Sequence, residues 1–177
     1  MKTAKHHFVL GAMLALAVTS VSLAQEAKPS PPAKVEVELR GKTVTIDYSR
    51  PSMRGRKIMG ALVPYGQVWR TGANDATSLK TAVDLEIGGV KVPAGNYTLY
   101  SLPTETAWKL IINKQTGQFG TEYDEAQDLA RVPLVKTALP SPMEQFTIEF
   151  VKKGADSADL ILEWENTKLS VPVRAAR

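Results

Sequence analysis

Arg50, Arg54, Arg56, Lys57 and Arg70 are the residues of this sequence best suited to chemistry, and four of the five fall within eight consecutive positions that contain no acid. Arginine presents a planar fork of donors that matches a carboxylate, sulfate or phosphate in parallel bonds. The five cations lie in or beside a segment, Ser49 to Thr77, that also carries Tyr65 and Trp69, rings able to stack on a ligand. Directly after Arg70 comes Thr71-Gly72-Ala73-Asn74-Asp75, a turn-rich run suited to exposing backbone N–H groups. Together these residues point to an anion site formed by Arg50, Arg54, Arg56, Lys57, Tyr65, Trp69, Arg70, Asn74 and Asp75. Its ligand would be an anionic small molecule or glycan: an acidic sugar, a phosphate ester or a peptide carboxylate. A competing reading is internal: the arginines pair with Asp47, Asp75, Asp84, Asp124 or Asp128 and pin the segment to the fold, because structural ion pairs and sites are built from the same groups. A contact between copies of the chain is the third reading.

A second cluster is less specific. Gly117 to Glu125, with Asp128 just beyond, brings Glu122, Asp124, Glu125 and Asp128 close to Tyr123. Two carboxylates suffice for glycoside hydrolysis, and oxygen ligands suit Ca²⁺. No EF-hand order is present, and runs of charge are usually solvated faces. Gly55-Arg56-Lys57 lacks the Gly-x-x-x-x-Gly-Lys-Ser/Thr order of a phosphate loop.

What the sequence excludes is sharper. His6 and His7 are the only histidines, and there is no cysteine. Both histidines lie in residues 1–24, which read as a secretory signal: Lys2 and Lys5 at the start, an uncharged apolar run from Phe8 to Val18, and Ser22-Leu23-Ala24 as a small-x-small exit. That run is short for a membrane span, which needs about 20 residues. The expected product is exported, periplasmic or secreted, cleaved near Ala24 and not inserted in a membrane. It would have 153 residues, one domain's worth, and its net charge would fall from +4 to +2. So small a basic excess gives no case for nucleic acid. Without His or Cys, Ser-His-Asp and Cys-His catalysis and imidazole or thiolate metal sites are closed to it. No catalytic residue, metal ligand or cofactor is assigned. The reading is a non-enzymatic binding protein, with a carboxylate-dependent glycoside hydrolase or a structural role as alternatives.

The elements that must position these residues are strands. After a Pro-rich linker over residues 25–34, Val35, Val37 and Leu39 alternate with Glu36 and Glu38, and Val44, Ile46 and Tyr48 alternate with Thr45 and Asp47. This is the period of half-buried strands, joined by a turn at Gly41-Lys42. Leu79 to Ile87 repeats the alternation as one strand, and Gly88-Gly89 predicts a tight hairpin into Val90 and Val92. Strands follow at Tyr97–Leu102 and around Trp108, Leu110 and Ile112. Another is expected at Ala130–Val135, where Pro133 argues for an edge. Phe146–Phe150 and Leu160–Trp164 come next, with a turn at Glu165–Thr167 before Leu169, Val171 and Val173. Thr121 to Asp128 predicts one helical turn opened by a Thr121-x-x-Asp124 cap. The expected fold is all-β, an antiparallel β-sandwich, immunoglobulin-like or jelly-roll-like, of nine or ten strands over residues 35–177 with one long ordered loop. Trp108, Phe146, Phe150 and Trp164 fall in phase with aliphatics and read as core.

Ordered blocks across the chain carry a resemblance: Tyr48-Ser49-Arg50-Pro51, Gly55-Arg56-Lys57-Ile58, Leu62-Val63-Pro64-Tyr65-Gly66 and Val68-Trp69-Arg70-Thr71-Gly72-Ala73-Asn74, then Ile87-Gly88-Gly89, Ala94-Gly95-x-Tyr97 and Trp108-x-x-Ile111-x-Asn113. Over Val35 to Val173 the chain resembles a bacterial domain family of unknown function found largely in exported proteins. The resemblance implies no activity, substrate or catalytic residue. Phe119-Gly120 stands where the family pattern has Trp-Gly, which keeps an apolar ring and loses the indole N–H.

Overall fold

The computed structural model describes residues 29–176. Nine strands follow in chain order: β1 (Pro32–Leu39), β2 (Lys42–Ser49), β3 (Ser78–Thr81), β4 (Leu85–Ile87), β5 (Val90–Val92), β6 (Gly95–Pro103), β7 (Trp108–Asn113), β8 (Asp128–Lys152) and β9 (Ser157–Ala175). A single 3-10 turn, Glu125–Gln127, precedes β8. Every pair of named strands is antiparallel, and the ladder is continuous in the order β1-β2-β3-β6-β7-β8-β9-β4-β5. The all-β antiparallel expectation holds. The strands form one hydrogen-bonded sheet through the shared strand β8.

Period-two alternation places the core. Val37, Leu39, Val44, Ile46 and Tyr48 point inward from β1 and β2, and the register sets Val37 opposite Val44. Trp108, Phe146 and Trp164 are buried as the sequence implied, and Phe150 packs against the same core from a partly buried position. Two hairpins show why their turn residues are what they are. Gly88 and Gly89 take φ of 56° and 86°, the doubly positive pair that a two-residue hairpin requires, and a Cβ on Gly88 would fall 2.2 Å from a methyl of Val132. The β1–β2 turn uses Arg40 and Gly41, at φ 51° and 70°, so it lies one residue earlier than Gly41-Lys42.

Other boundaries also move. Strand β1 begins at Pro32, inside the expected linker. The run Leu79–Ile87 divides into β3, which pairs with β2 and β6, and β4, which pairs with β5 and β9. Its alternation is real on both sides of the break, so the period alone gave no sign of it. The helical turn is capped by Asp124, whose carboxylate accepts the Ala126 N–H at 2.9 Å, and not by Thr121. The turn expected at Glu165–Thr167 is a bulge within β9: Glu165, at φ 52°, opposes Met143 where the β8–β9 register shifts.

Strand β8 is the organiser of the sheet. Over Asp128–Leu134 it pairs with β7, and from Val135 to Lys152 it pairs with β9. Pro133 lies in the stretch laddered on one side, which a residue with no N–H tolerates. The sheet curls until the end of β2 meets the later part of β8. The Tyr48 hydroxyl donates to the Ile148 carbonyl at 3.3 Å and accepts the Ile148 N–H at 3.0 Å, while the Phe146 N–H donates to the Pro51 carbonyl at 2.9 Å. Among the described residues no helix is long and apolar enough to cross a membrane. The expected signal, residues 1–24, lies outside the described residues.

Candidate cationic cleft

The long segment between β2 and β3 is held to the rest of the chain at several places, including Gly66, whose N–H donates to the Pro103 carbonyl at 2.8 Å. Near its start, the Met53 N–H reaches the Glu144 carbonyl at 2.8 Å. Next, the Glu165 carboxylate accepts the N–H groups of Ile58 at 3.0 Å and Met59 at 3.2 Å. Further on, Trp69 and Ser101 exchange backbone bonds of 2.8 and 2.9 Å. Finally, the Gly120 N–H donates to the Asn74 carbonyl at 3.0 Å. Between these ties Ile58, Met59 and Val63 are buried, so hydrophobic burial fixes the loop as well. Glu165 carries this arrangement, and sequence reading passed over it as a turn residue. Its signal in the sequence is faint: one of three acids in its strand, set directly after Trp164.

Between loop and sheet lies a cleft of about 430 Å³. Trp69, Trp164, Tyr100 and Tyr123 line its aromatic side, and Arg56 and Arg70 its cationic side. Trp69 stacks on Trp164 with ring centroids 5.7 Å apart and 20° between planes, and meets Phe146 and Trp108 edge-on at 5.0 and 6.5 Å. This cluster makes Trp69 a rigid wall. Tyr100 and Tyr123 meet edge-on at 4.8 Å.

Arg70 is anchored at the cleft through its stem and its Nε. Its Nε donates to the Gly72 carbonyl at 3.3 Å, and its guanidinium sits over the Phe119 ring, 5.9 Å from the centroid. Gly120 forms the seat beneath the stem: a Cβ there would lie 2.7 Å from Arg70 Cδ and 2.7 Å from the Asn74 carbonyl oxygen. The next residue, Thr71, takes φ 53°, a left-handed conformation that a β-branched residue adopts only under strain, and buried bonds to Ser101 and Trp69 hold it there. The two terminal nitrogens of Arg70 meet no acceptor among the described residues.

The other expected site residues divide. Arg50 is a strut, its Nε on the Phe146 carbonyl at 3.1 Å and a terminal nitrogen on the Thr147 hydroxyl at 2.7 Å. Arg54 donates to the Pro29 carbonyl at 3.0 Å. Arg56 curls onto its own loop, with bonds of 2.9 and 2.8 Å to the Met53 and Ser52 carbonyls, while still lining the cleft. Lys57 and Tyr65 are exposed on the outside of the loop. Asn74 bonds the Ser30 carbonyl at 3.3 Å, and Asp75 lies beyond a bridge to Phe119. The cleft therefore gathers Arg56, Trp69 and Arg70. Sequence reading did not bring in Tyr100, Tyr123, Gly120 and Trp164, because they lie on other elements.

None of the five cations is ion-paired among the described residues, which corrects the expected pairing with aspartates. Asp47 is shared by Lys34 and Lys80, and Asp128 is taken by Arg131. Asp84 accepts the Ala94 N–H, and Asp124 caps the 3-10 turn. Where these arginines are tied down, they are tied to carbonyl and hydroxyl oxygens.

In the acidic cluster near Tyr123, Asp124, Glu125 and Asp128 are engaged, and Glu122 is exposed. Asp128 accepts from Asn113 at 2.9 Å, Tyr123 at 2.7 Å and Arg131 at 2.8 Å, while Glu125 pairs with Arg131 at 2.6 Å. No group of three or more acids among the described residues is placed to hold a metal ion. Burial, aided by the bond to Asp128, pushes the Tyr123 phenol up to about 12 against the opposing pull of Arg131. Burial also raises Tyr100. Both hydroxyls are engaged, Tyr100 on the Glu122 carbonyl at 3.1 Å and Tyr123 on Asp128, so the two rings serve the cleft as walls.

Neither a curated protein nor a solved structure matches the chain. A family model described as a protein of unknown function (DUF2911) matches residues 30–173, a span that takes in the cleft and every strand but the last two residues of β9. The chain belongs to that family, DUF2911.

Proposed function

We propose that this is an exported, non-catalytic binding protein whose cleft takes an anionic small molecule or glycan. The observation that carries the reading is Arg70: its terminal nitrogens are open and no carboxylate is paired with it among the described residues. It is fixed at an aromatic-walled cleft by Gly120, Phe119 and the strained Thr71. Fixing a guanidinium in advance lowers the ordering cost of binding, and a neighbouring indole suits the apolar face of a ring. Export is supported by the charged start, apolar run and small-x-small exit of residues 1–24. A glycoside hydrolase has less support, since Asp124, Glu125 and Asp128 are committed to a cap and to Arg131.

Calorimetric titration at low salt against acidic sugars, nucleotides and peptidoglycan fragments tests the reading. At least one is expected to bind, and Arg70→Ala to lose that binding while keeping the unfolding midpoint of the parent. A ligand present at about one hundred times its Kd should add about 2.7 kcal/mol of stability. A flat response to every anion, or undiminished binding by Arg70→Ala, would sink it.

A further inference from the structure

Beyond the Asp75–Phe119 bridge, the outward face of the sheet carries a second feature. Directly paired residues of neighbouring strands share a face. The register therefore sets Lys34, Asp47, Ser78, Thr98 and Asn113 in one row across β1, β2, β3, β6 and β7. Glu36, Thr45, Lys80 and Asn96 form the next row. The loop after β7 roofs one end: Thr98 donates to the Gln115 carbonyl at 2.8 Å, and Asn113 is buried. Where the roof stops, at Thr116, Gly117 and Gln118, a groove of about 630 Å³ opens over Ser78 and Asn96. It shares Asp75, Ala76, Ser78 and Lys80 with a groove of about 550 Å³ that continues over β2 to β1.

The groove is lined with unengaged polar groups. The side chains of Asp75, Ser78, Asn96 and Thr116 have no hydrogen-bond partner among the described residues. Gln118 adds a buried one. Its Nε2 donates to the hydroxyls of Thr98 at 3.2 Å and Tyr100 at 3.1 Å, and each of those hydroxyls gives its own proton to a carbonyl. That fixes the amide's orientation and leaves Oε1 buried and unpaired. Lys34 and Lys80 both sit on Asp47, so Asp75 is the free carboxylate of the groove and Asn96 its free exposed amide.

Gly72, Ala73 and Gly120 lie on the cleft side of the Asp75–Phe119 bridge, and Ala76 and Gln118 on the groove side. A compact anion drawn to Arg70 gains nothing from a carboxylate and an amide oxygen next door, and Asp75 opposes it. A polyhydroxylated chain uses both, since its acid group meets arginine and its hydroxyls donate to the exposed Asp75 carboxylate and Asn96 amide oxygen. We propose that cleft and groove are consecutive subsites for one extended ligand, an acidic oligosaccharide, whose charged residue sits at Arg70 and whose following sugars cross the bridge into the groove. The proposal rests on the cleft being an anion site.

Titration of the purified chain with a uronic acid monomer and a hexamer carrying that acid at one end followed by five neutral sugars, at one salt concentration, tests this. The hexamer should bind at least about tenfold more tightly than the monomer, because the second subsite is engaged intramolecularly. Asp75→Ala and Asn96→Ala, both at exposed positions, should erase the hexamer's advantage without weakening the monomer, while Arg70→Ala weakens both. Equal affinity for monomer and hexamer, or a hexamer advantage that survives both groove substitutions, overturns the two-subsite proposal without touching the cleft. Failure of every uronate alongside binding of inorganic phosphate or a nucleotide overturns the choice of ligand alone. Failure of all anions overturns the cleft.

Discussion

At the scale of single residues, arginines of similar appearance in the sequence divide by what their donors face. Arg50 spends its fork on Phe146 and Thr147, whereas Arg70 keeps two nitrogens open. Composition marks both as anion binders, and only the three-dimensional position of carbonyl oxygens separates them. Tyr123 shows the same dependence on surroundings, and it yields a pH effect. Its phenol is held up to about 12 in the folded chain against an ordinary 10.0, so the folded state grips the proton more tightly than the unfolded one does. That contribution is present in full below pH 10 and is lost as pH climbs through the folded value. Tyr97 and Tyr100 are raised as well and add to the same alkaline loss. Urea midpoints measured from neutral to strongly alkaline pH should fall across this window, and Tyr123→Phe should fall less steeply. Parallel curves for parent and variant would show that Tyr123 is not a source of the slope.

At the scale of elements, the loop that carries the cleft depends on one carboxylate outside it. Glu165 stands on the bulge of β9 and receives two loop N–H groups. Glu165→Ala leaves both donors without their acceptor, a loss of about 1–3 kcal/mol for a desolvated group. The effect should also be local. Arg54, Arg56 and Lys57 are exposed, so trypsin should cut this stretch of the variant faster than of the parent under native conditions. Unchanged cleavage would mean that burial of Ile58, Met59 and Val63, with the backbone ties at Met53 and Trp69, holds the loop without Glu165. Sequence reading found the strands, because alternation is written in every half-buried one. It identified the loop by its length and charge. It missed the bulge at Glu165 and the division of Leu79–Ile87, because a strand that changes partner keeps its period. It missed Tyr100 and Tyr123 as cleft walls because curvature, not spacing, brings β6 and the segment before β8 beside Trp69.

At the scale of the whole molecule, a nine-stranded ladder in this order remains open, and no cysteine is present to close it. One closing contact is the junction of β2 with β8, and another is the β1–β2 turn, where the Arg40 N–H donates to the Ala155 carbonyl at 2.7 Å. Tyr48 clasps both backbone groups of Ile148, Arg50 reaches Phe146 and Thr147, and the Tyr48 and Phe146 rings meet edge-on at 5.8 Å. Tyr48→Phe removes a buried hydroxyl and leaves the Ile148 N–H and carbonyl unpaired, which should cost about 1–3 kcal/mol. Arg50→Ala frees the neighbouring carbonyl and hydroxyl and should fall in the same range. The two side chains grip adjacent residues of one strand, so the second substitution acts on a junction the first has already loosened. Their combined effect should be smaller than the sum, with a coupling of at least about 0.5 kcal/mol, whereas independent sites add to within about 0.3–0.5 kcal/mol. Urea unfolding of the four proteins in the cycle measures it. Strict additivity would mean that Tyr48 and Arg50 stabilise separate parts of the sheet, and closure would then have to be sought in the apolar core between them.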